Sequence, residues 1–309
     1  MASVQTVLNP KSYLNYIRRR ISERRLSRDP NLRGTVAALP GHYYSPLIDI
    51  AKIAPDDTMV AFDGVEWWEH VDLHAHDQRA YYQDLIDNYP FLDFPAQPTP
   101  PFRYFTGNPW FRIPDAFALS GVIRKERPRR IVEVGSGFSS AVMLDTLREI
   151  GHAAHLTFVE PHPERLDSLL TPPDRANAEI LVRPVQEVPM EVFDRLESGD
   201  ILFIDSSHVA KVGSDVTFLF LRVLPRLRPG VLVHIHDIFF PHSYPMDWIR
   251  EGYAWNESIV LRAFLSGNAD FEVILFNSFA SYSFPEIFGH GFPAFLEHNR
   301  GSLWLRKVS

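Results

Sequence analysis

The chain has 309 residues, 45% of them hydrophobic and 22% charged, with a formal net charge of −7. This is the composition of a folded globular chain of one large or two modest domains; it excludes global disorder and argues against nucleic acid as the main partner. There is no cysteine, which excludes disulfides, thiolate metal sites and cysteine nucleophiles; with no apolar run of about 18 residues and no secretory leader, the expectation is a cytoplasmic chain without a transmembrane segment.

Residues 11–33 are basic, with Arg18, Arg19 and Arg20 in a run and Arg24 and Arg25 as a pair, and Leu14, Ile17 and Ile21 recur at helical spacing. The pattern predicts an amphipathic helix, either a surface helix packed by that narrow stripe or one lying on a membrane surface or an anionic partner. Residues 39–110 are rich in aromatics and proline. The stretch FPAQPTPPF at 94–102 cannot be a helix or a central strand, because proline lacks an N–H and has a fixed φ; it reads as an extended strap. A helix is expected over about 75–89, ending before Pro90. Residues 1–110 are therefore read as a helical and irregular N-terminal cap, with 111–309 as the main domain.

From about residue 130, short β-rich runs alternate with helical stretches. The runs are Arg130–Val134, Leu156–Glu160, Glu179–Val182, Ile201–Asp205, Val231–His236 and Phe271–Phe276, with Ser302–Arg306 as a last, antiparallel edge strand. Helices are expected at about 138–150, 162–170, 189–197, 209–225 and 255–266. Such βαβα alternation predicts a doubly wound, mostly parallel α/β sheet of seven strands, its central strands near-continuously apolar because helices cover both faces.

In such sheets ligands sit beyond the carboxyl ends of the strands. The first strand ends in EVGSGFSS, residues 133–140, where Gly135 and Gly137 allow a tight turn and close backbone approach, with Ser136 between them. Alone this turn suits a dinucleotide or a nucleoside. The third small position of the dinucleotide fingerprint falls on Ser140, an acid (Glu133) precedes the turn, and the second strand ends in Glu160, placed to accept both hydroxyls of a ribose. Together they suit a ligand with a ribose and a cationic amino-acid end. The fourth strand ends at Asp205, followed by Ser206, Ser207 and His208; the fifth ends in His234, Ile235, His236 and Asp237. Strand alternation puts His234 and His236 on one face and Asp237 on the other. Three readings of this group stand side by side: a stabilising cluster, metal-free acid–base catalysis by His208, and a divalent ion held by Asp205 and Asp237 with His236 beside them.

The stretches PGHYYSPLIDI (40–50), RYFTGN (103–108), EVGSGFSSAVMLD (133–145), TFVEPHPERL (157–166), GDILFIDSSHVAKVGSDV (199–216), HIHDIFFPHSYP (234–245) and WNESIVLRAFL (255–265) resemble the class I S-adenosylmethionine-dependent methyltransferases, and more narrowly a bacterial family with an extended N-terminal region. The resemblance implies that Glu133, Gly135, Ser136 and Gly137 hold the methionyl part of the cofactor, Glu160 the ribose and Gln186 the adenine, with Asp205 also at the cofactor. FIDSSH resembles the Mg-dependent sugar O-methyltransferases, in which the aspartate binds metal and the histidine is the base. It departs from them in placing His236 rather than a carboxylate or amide beside Asp237, and histidine suits Mn, Fe, Co, Ni or Zn better than Mg. Tyr44, Tyr104, Asn108 and Glu257 are the candidates for acceptor contact, and the aromatic cap is expected to exclude water from a small-molecule acceptor. Methyl transfer to oxygen is the expected activity. An NAD-dependent oxidoreductase, or a non-catalytic module binding the cofactor or a partner, is the alternative.

Overall fold

The computed structural model describes residues 40–50, 64–298 and 301–309; the basic segment 11–33 lies outside the described residues. The chain divides into two compact units, Met1–Thr58 with Ile249–Ala254, and Met59–Trp248 with Trp255–Ser309. In the smaller unit, Gly41 takes a φ of 79° and donates its N–H to Leu47 O at 2.8 Å. This folds 41–47 into a turn on which the rings of His42 and Tyr43 stack at 4.3 Å.

The larger unit is built on a seven-stranded sheet in the order β3-β2-β1-β4-β5-β7-β6. Its strands are β1 (Arg130–Val134), β2 (His155–Val159), β3 (Ala178–Leu181), β4 (Ile201–Ile204), β5 (Leu232–Ile235), β6 (Phe271–Phe276) and β7 (Leu303–Lys307). The first five run parallel, and β7 inserts antiparallel between β5 and β6. β7 is thus an interior strand and not the edge expected for it; its Leu303, Trp304 and Leu305 are fully buried. β4 reads as an unbroken apolar run and β5 as one interrupted only by His234, because both faces are covered, and every residue of each is buried.

Helices α1 (Ala75–Asn88), α2 (Ile113–Glu126) and α3 (Phe138–Glu149) follow in chain order. Sequence periodicity shows α1 and α3 but not α2. From Pro114 to Ile123 every residue of α2 is buried, so no polar stripe marks its period. The helix expected over 209–225 is shorter and broken. It begins at Asp215, where the Ser214 hydroxyl accepts the Thr217 N–H at 3.2 Å. It passes through a wide turn at Leu219–Val223 and ends as a tight one at Leu224–Arg226. Pro225 explains the change of winding, since it cannot donate to the preceding turn. The expected helices over 189–197 and 255–266 shorten to Glu191–Asp194 and to α5, Glu257–Leu265, and the one over 162–170 becomes α4, Glu164–Leu169.

Two arginines tie the proline strap to this body: Arg148 donates to the Pro101 carbonyl at 2.6 Å, and Arg103 pairs with two aspartates. The Arg103 guanidinium donates to both Asp145 on α3 (2.8 Å) and Asp174 (2.7 and 2.6 Å), and the Arg103 and Tyr104 amides both donate to Asp145 Oδ2 at 2.8 Å. Planar two-pronged pairing of this kind fixes direction as well as distance. It delivers residues 104–111 to the carboxyl end of the sheet.

Candidate active site

The strand order reverses between β1 and β4, so the loops leaving their carboxyl ends diverge and open a crevice there. Gly135 sits at that point with a φ of 81°. A Cβ on it would lie 1.7 Å from the Asp205 carbonyl oxygen, so the position requires glycine both for its backbone conformation and for space. Beneath the turn, Glu133 is fully buried. Its carboxyl accepts the Ser139 hydroxyl at 2.5 Å and the Ser140 hydroxyl on its other oxygen. Burial, only partly offset by those hydroxyls, pushes its pKa up to about 8. Glu160 faces outward from the end of β2 and accepts the Ser136 amide at 3.0 Å and the His162 amide at 2.8 Å.

Two adjoining cavities open on this crevice. One, about 460 Å³, runs along Glu160, Pro161, His162, Val185, Gln186, Lys211 and Ser214. The other, about 330 Å³, is walled by Trp110, Phe111, Phe138, Arg165, His208, His236, Asp237 and Trp255. They share Gly135, Glu160, Asp205, Ser206 and Ser207. Ser136 and Gly137 line the second cavity, whereas Glu133 lines neither and supports the turn from below. Gln186 borders the first and donates to the Gly213 carbonyl at 2.8 Å.

Asp205, His208 and Asp237 converge in the second cavity. His208 Nε2 lies 3.4 Å from Asp205 Oδ1 and 3.5 Å from Asp237 Oδ2. One ligand-type atom from each residue lies within 4.8 Å of the others. His208 and Asp237 both adopt the left-handed backbone region, with φ of 59° and 54°. For non-glycine residues this costs about 1–3 kcal/mol each and persists only where the surroundings enforce it. The His208 carbonyl is held by the Asn256 and Glu257 amides at 3.0 and 3.2 Å, and the Ile238 amide next to Asp237 by the Gly301 carbonyl at 2.9 Å. The left-handed turn at Asp237 is also why simple strand alternation fails there: β5 ends at Ile235, and Asp237 swings back toward His208.

Burial would lower the His208 imidazole, but its hydrogen bonds to Asp205 and Glu257 and the nearby charges raise it well above its ordinary value. Burial would raise Asp205, and the charges of His236 and His208 hold it below the carboxylate range instead. Asp237 is raised, chiefly by burial. His236 does not join the three converging atoms. Its Nδ1 faces His234 Nε2 at 3.3 Å, its Nε2 stands 3.8 Å from Asp237 Oδ1, and its ring lies 5.2 Å from Phe111. The geometry thus brings Asp205, Asp237 and His208 together, with His236 beside them rather than among them.

Three acceptor candidates are corrected. Tyr104 is fully buried with its hydroxyl donating to the Phe111 carbonyl at 2.9 Å. Asn108 is fully buried and folds the 105–111 turn, accepting the Trp110 and Phe111 amides and donating to the Phe105 and Phe111 carbonyls. Glu257 is fully buried and hydrogen-bonded to His208. None of the three lines either cavity; Tyr104 and Asn108, in a loop-rich segment, satisfy backbone groups instead. Tyr44 is exposed and belongs to the smaller unit. Sequence reasoning missed Trp110, Phe111 and Arg165. Arg165, on α4, lies with its guanidinium carbon 4.0 Å above the Trp110 ring. Its only sequence signal is its place one turn beyond Glu160.

Residues 132–238 match a family model described as "Methyltransferase domain". An uncharacterised protein of Archaeoglobus fulgidus is 29% identical over 169 residues, spanning 52% of this chain and 75% of the relative. Among solved structures, the chain is similar to the S-adenosylhomocysteine-bound Podospora anserina methyltransferase PaMTH1 (15% identity, 75% and 88% of the two chains, TM-score 0.40). It is also similar to the plantazolicin methyltransferase BamL in complex with a triazolic desmethylPZN analog and S-adenosylhomocysteine (12%, 77% and 100%, 0.41) and to CmcI in a Mg–SAM form (16%, 69% and 82%, 0.40). The matched segment resembles a methyltransferase domain in sequence, and it runs from within β1, through the glycine turn described above, past the end of β5. No helix among the described residues is long and apolar enough to cross a membrane.

Proposed function

We propose that the chain transfers the methyl group of S-adenosylmethionine to a hydroxyl oxygen of a small molecule. The observation that carries this reading is the junction of the two cavities. Gln186 borders one, His208 and Asp237 border the other, and Gly135, Glu160 and Asp205 belong to both. A nucleoside in the first cavity extends its sulfonium across Gly135 toward the second, where the acceptor lies. Glu160 holds the ribose, Gln186 borders the adenine, and Ser136 and Gly137 face the methionyl end. Attack on the methyl carbon is an in-line displacement, so the protein contributes alignment and removal of the acceptor proton. Trp110, Phe111, Phe138 and Trp255 wall the acceptor cavity and keep water from competing. The reading places this work in the cytoplasm, which the absence of cysteine fits.

The proton leaves at the cluster. His208 Nε2 points into it and is the direct base in a metal-free route, provided the imidazole starts neutral. A second route is favoured by the fit of the three residues to a divalent cation. Metal bonds of about 2.0–2.2 Å place neighbouring ligands of a four-coordinate ion about 3.3–3.6 Å apart; His208 Nε2 stands 3.4 and 3.5 Å from its two carboxylate neighbours, and all three ligand-type atoms lie within 4.8 Å of one another. When bound, such an ion lowers the pKa of the acceptor hydroxyl.

Calorimetry tests the cofactor reading first: S-adenosylhomocysteine should bind and NAD should not bind comparably. A panel of hydroxylated small molecules with labelled S-adenosylmethionine then tests the reaction. Transfer only to amines would overturn the choice of oxygen.

A further inference from the structure

Glu257 is fully buried at the first turn of α5, and its Oε2 lies 2.9 Å from His208 Nδ1. With Glu257 ionised, the carboxylate can only accept, and the shared proton belongs to Nδ1. In the neutral imidazole the lone pair is then on Nε2, which faces Asp205 Oδ1 and Asp237 Oδ2. With a neutral imidazole these three acceptors point at one another with no donor among them and repel, which either a proton on Nε2 or a divalent cation at their centre relieves. The surroundings leave His208 little freedom to turn away. Trp255 packs on its ring at 4.5 Å, and its carbonyl is bound by the two amides that begin α5. Glu257 itself is anchored on that same turn, so the carboxylate and the backbone of His208 are held by one element.

We propose that Glu257 is a positioning residue that locks His208 with Nε2 toward Asp205 and Asp237, making His208 the third protein ligand of a divalent-cation site. The inference rests on the metal route described above and sharpens it, because it makes His208 a ligand and so removes it from service as the base while the ion is bound. Metal-bound histidines characteristically donate their other ring N–H to a carboxylate, and loss of that partner costs about 10–100-fold in metal affinity. One imidazole with two carboxylates favours Mn, Co or Zn over Mg.

The test uses the full chain with S-adenosylhomocysteine, titrated with Mn²⁺ and with Co²⁺, the latter also followed by its visible absorption. Wild type should bind, and Asp205→Asn should bind neither ion. Glu257→Leu should weaken both about 10–100-fold with S-adenosylhomocysteine affinity unchanged, and Glu257→Gln, which keeps an acceptor oxygen, should stay within a few-fold of wild type. Wild-type metal affinity in Glu257→Leu overturns the role of Glu257 and leaves the metal route standing. A wild type that binds neither ion overturns both. A measurement free of any variant is ¹⁵N–¹H spectroscopy of the Zn²⁺-loaded wild type. His208 should show a protonated Nδ1 and a metal-bound Nε2, and the reverse assignment overturns the inference.

Discussion

The carboxyl ends of β1 and β2 and those of β4 and β5 solve opposite problems with similar residues. At β1–β2 each acidic group is answered by neutral donors: Glu133 by two serine hydroxyls, Glu160 by two backbone amides. The backbone strain is carried by glycine, which tolerates it. At β4–β5 the carboxylates of Asp205, Asp237 and Glu257 crowd one imidazole, and the strained residues are His208 and Asp237 themselves. A site that only binds can be neutral and relaxed. A site that must move a proton or hold an ion keeps charge in excess and accepts strain to do so.

The contrast breaks most severely at Gly135. Gly135→Ala places a methyl group against the Asp205 carbonyl in a left-handed backbone, and should cost about 3–5 kcal/mol of stability by urea denaturation, at the upper end for single substitutions. It should also abolish S-adenosylhomocysteine binding. Retained binding would show that the turn adapts and that the two halves are less tightly coupled than their shared walls indicate.

Next in size is the charged half. His208→Ala should lower turnover about 10²–10⁴-fold while cofactor affinity by calorimetry stays near wild type. Turnover that survives both this change and Asp205→Ala would make the cluster a structural one. On the neutral half, Glu160→Ala should weaken S-adenosylhomocysteine by about 1–3 kcal/mol, the cost of losing a charged hydrogen-bond partner. Equal affinity in the variant would remove Glu160 from the ribose.

The last effect is a slope rather than a level. Glu133 has its pKa raised from 4.5 to about 8 in the folded chain, so between those values the native state binds more protons than the unfolded one. Stability from this group is therefore complete below about pH 4.5 and is lost as pH rises toward 8. Denaturation across that range should show a decline that Glu133→Gln flattens. An unchanged slope would mean that Glu133 is ionised beneath the turn.

The βαβ alternation, the glycine turn, Glu160 and the Asp205–His208 pair were legible in the sequence because local pattern carries them. Strand period, turn chemistry and what stands at a strand's end depend on neighbours only a few residues away. Tyr104 and Asn108 bond backbone groups and Glu257 bonds His208, none of them lining either cavity; this was not legible because a polar residue's sequence does not say which partner will take its hydrogen bonds. The burial of α2 hid its period for the same reason, since an element covered on every side loses the stripe that marks it.

By itself, then, the sequence determined the α/β class, the order of the parallel strands along the chain and the chemical types gathered at their ends. Only the tertiary structure decided that β7 inserts between β5 and β6, that Arg165 and Trp110 meet over the cavity, and that His208 rather than His236 closes the cluster. Each of these depends on residues far apart in the chain. Their meeting is set by the packing of whole elements and by two left-handed backbone turns, at His208 and Asp237, that the surrounding fold holds in place.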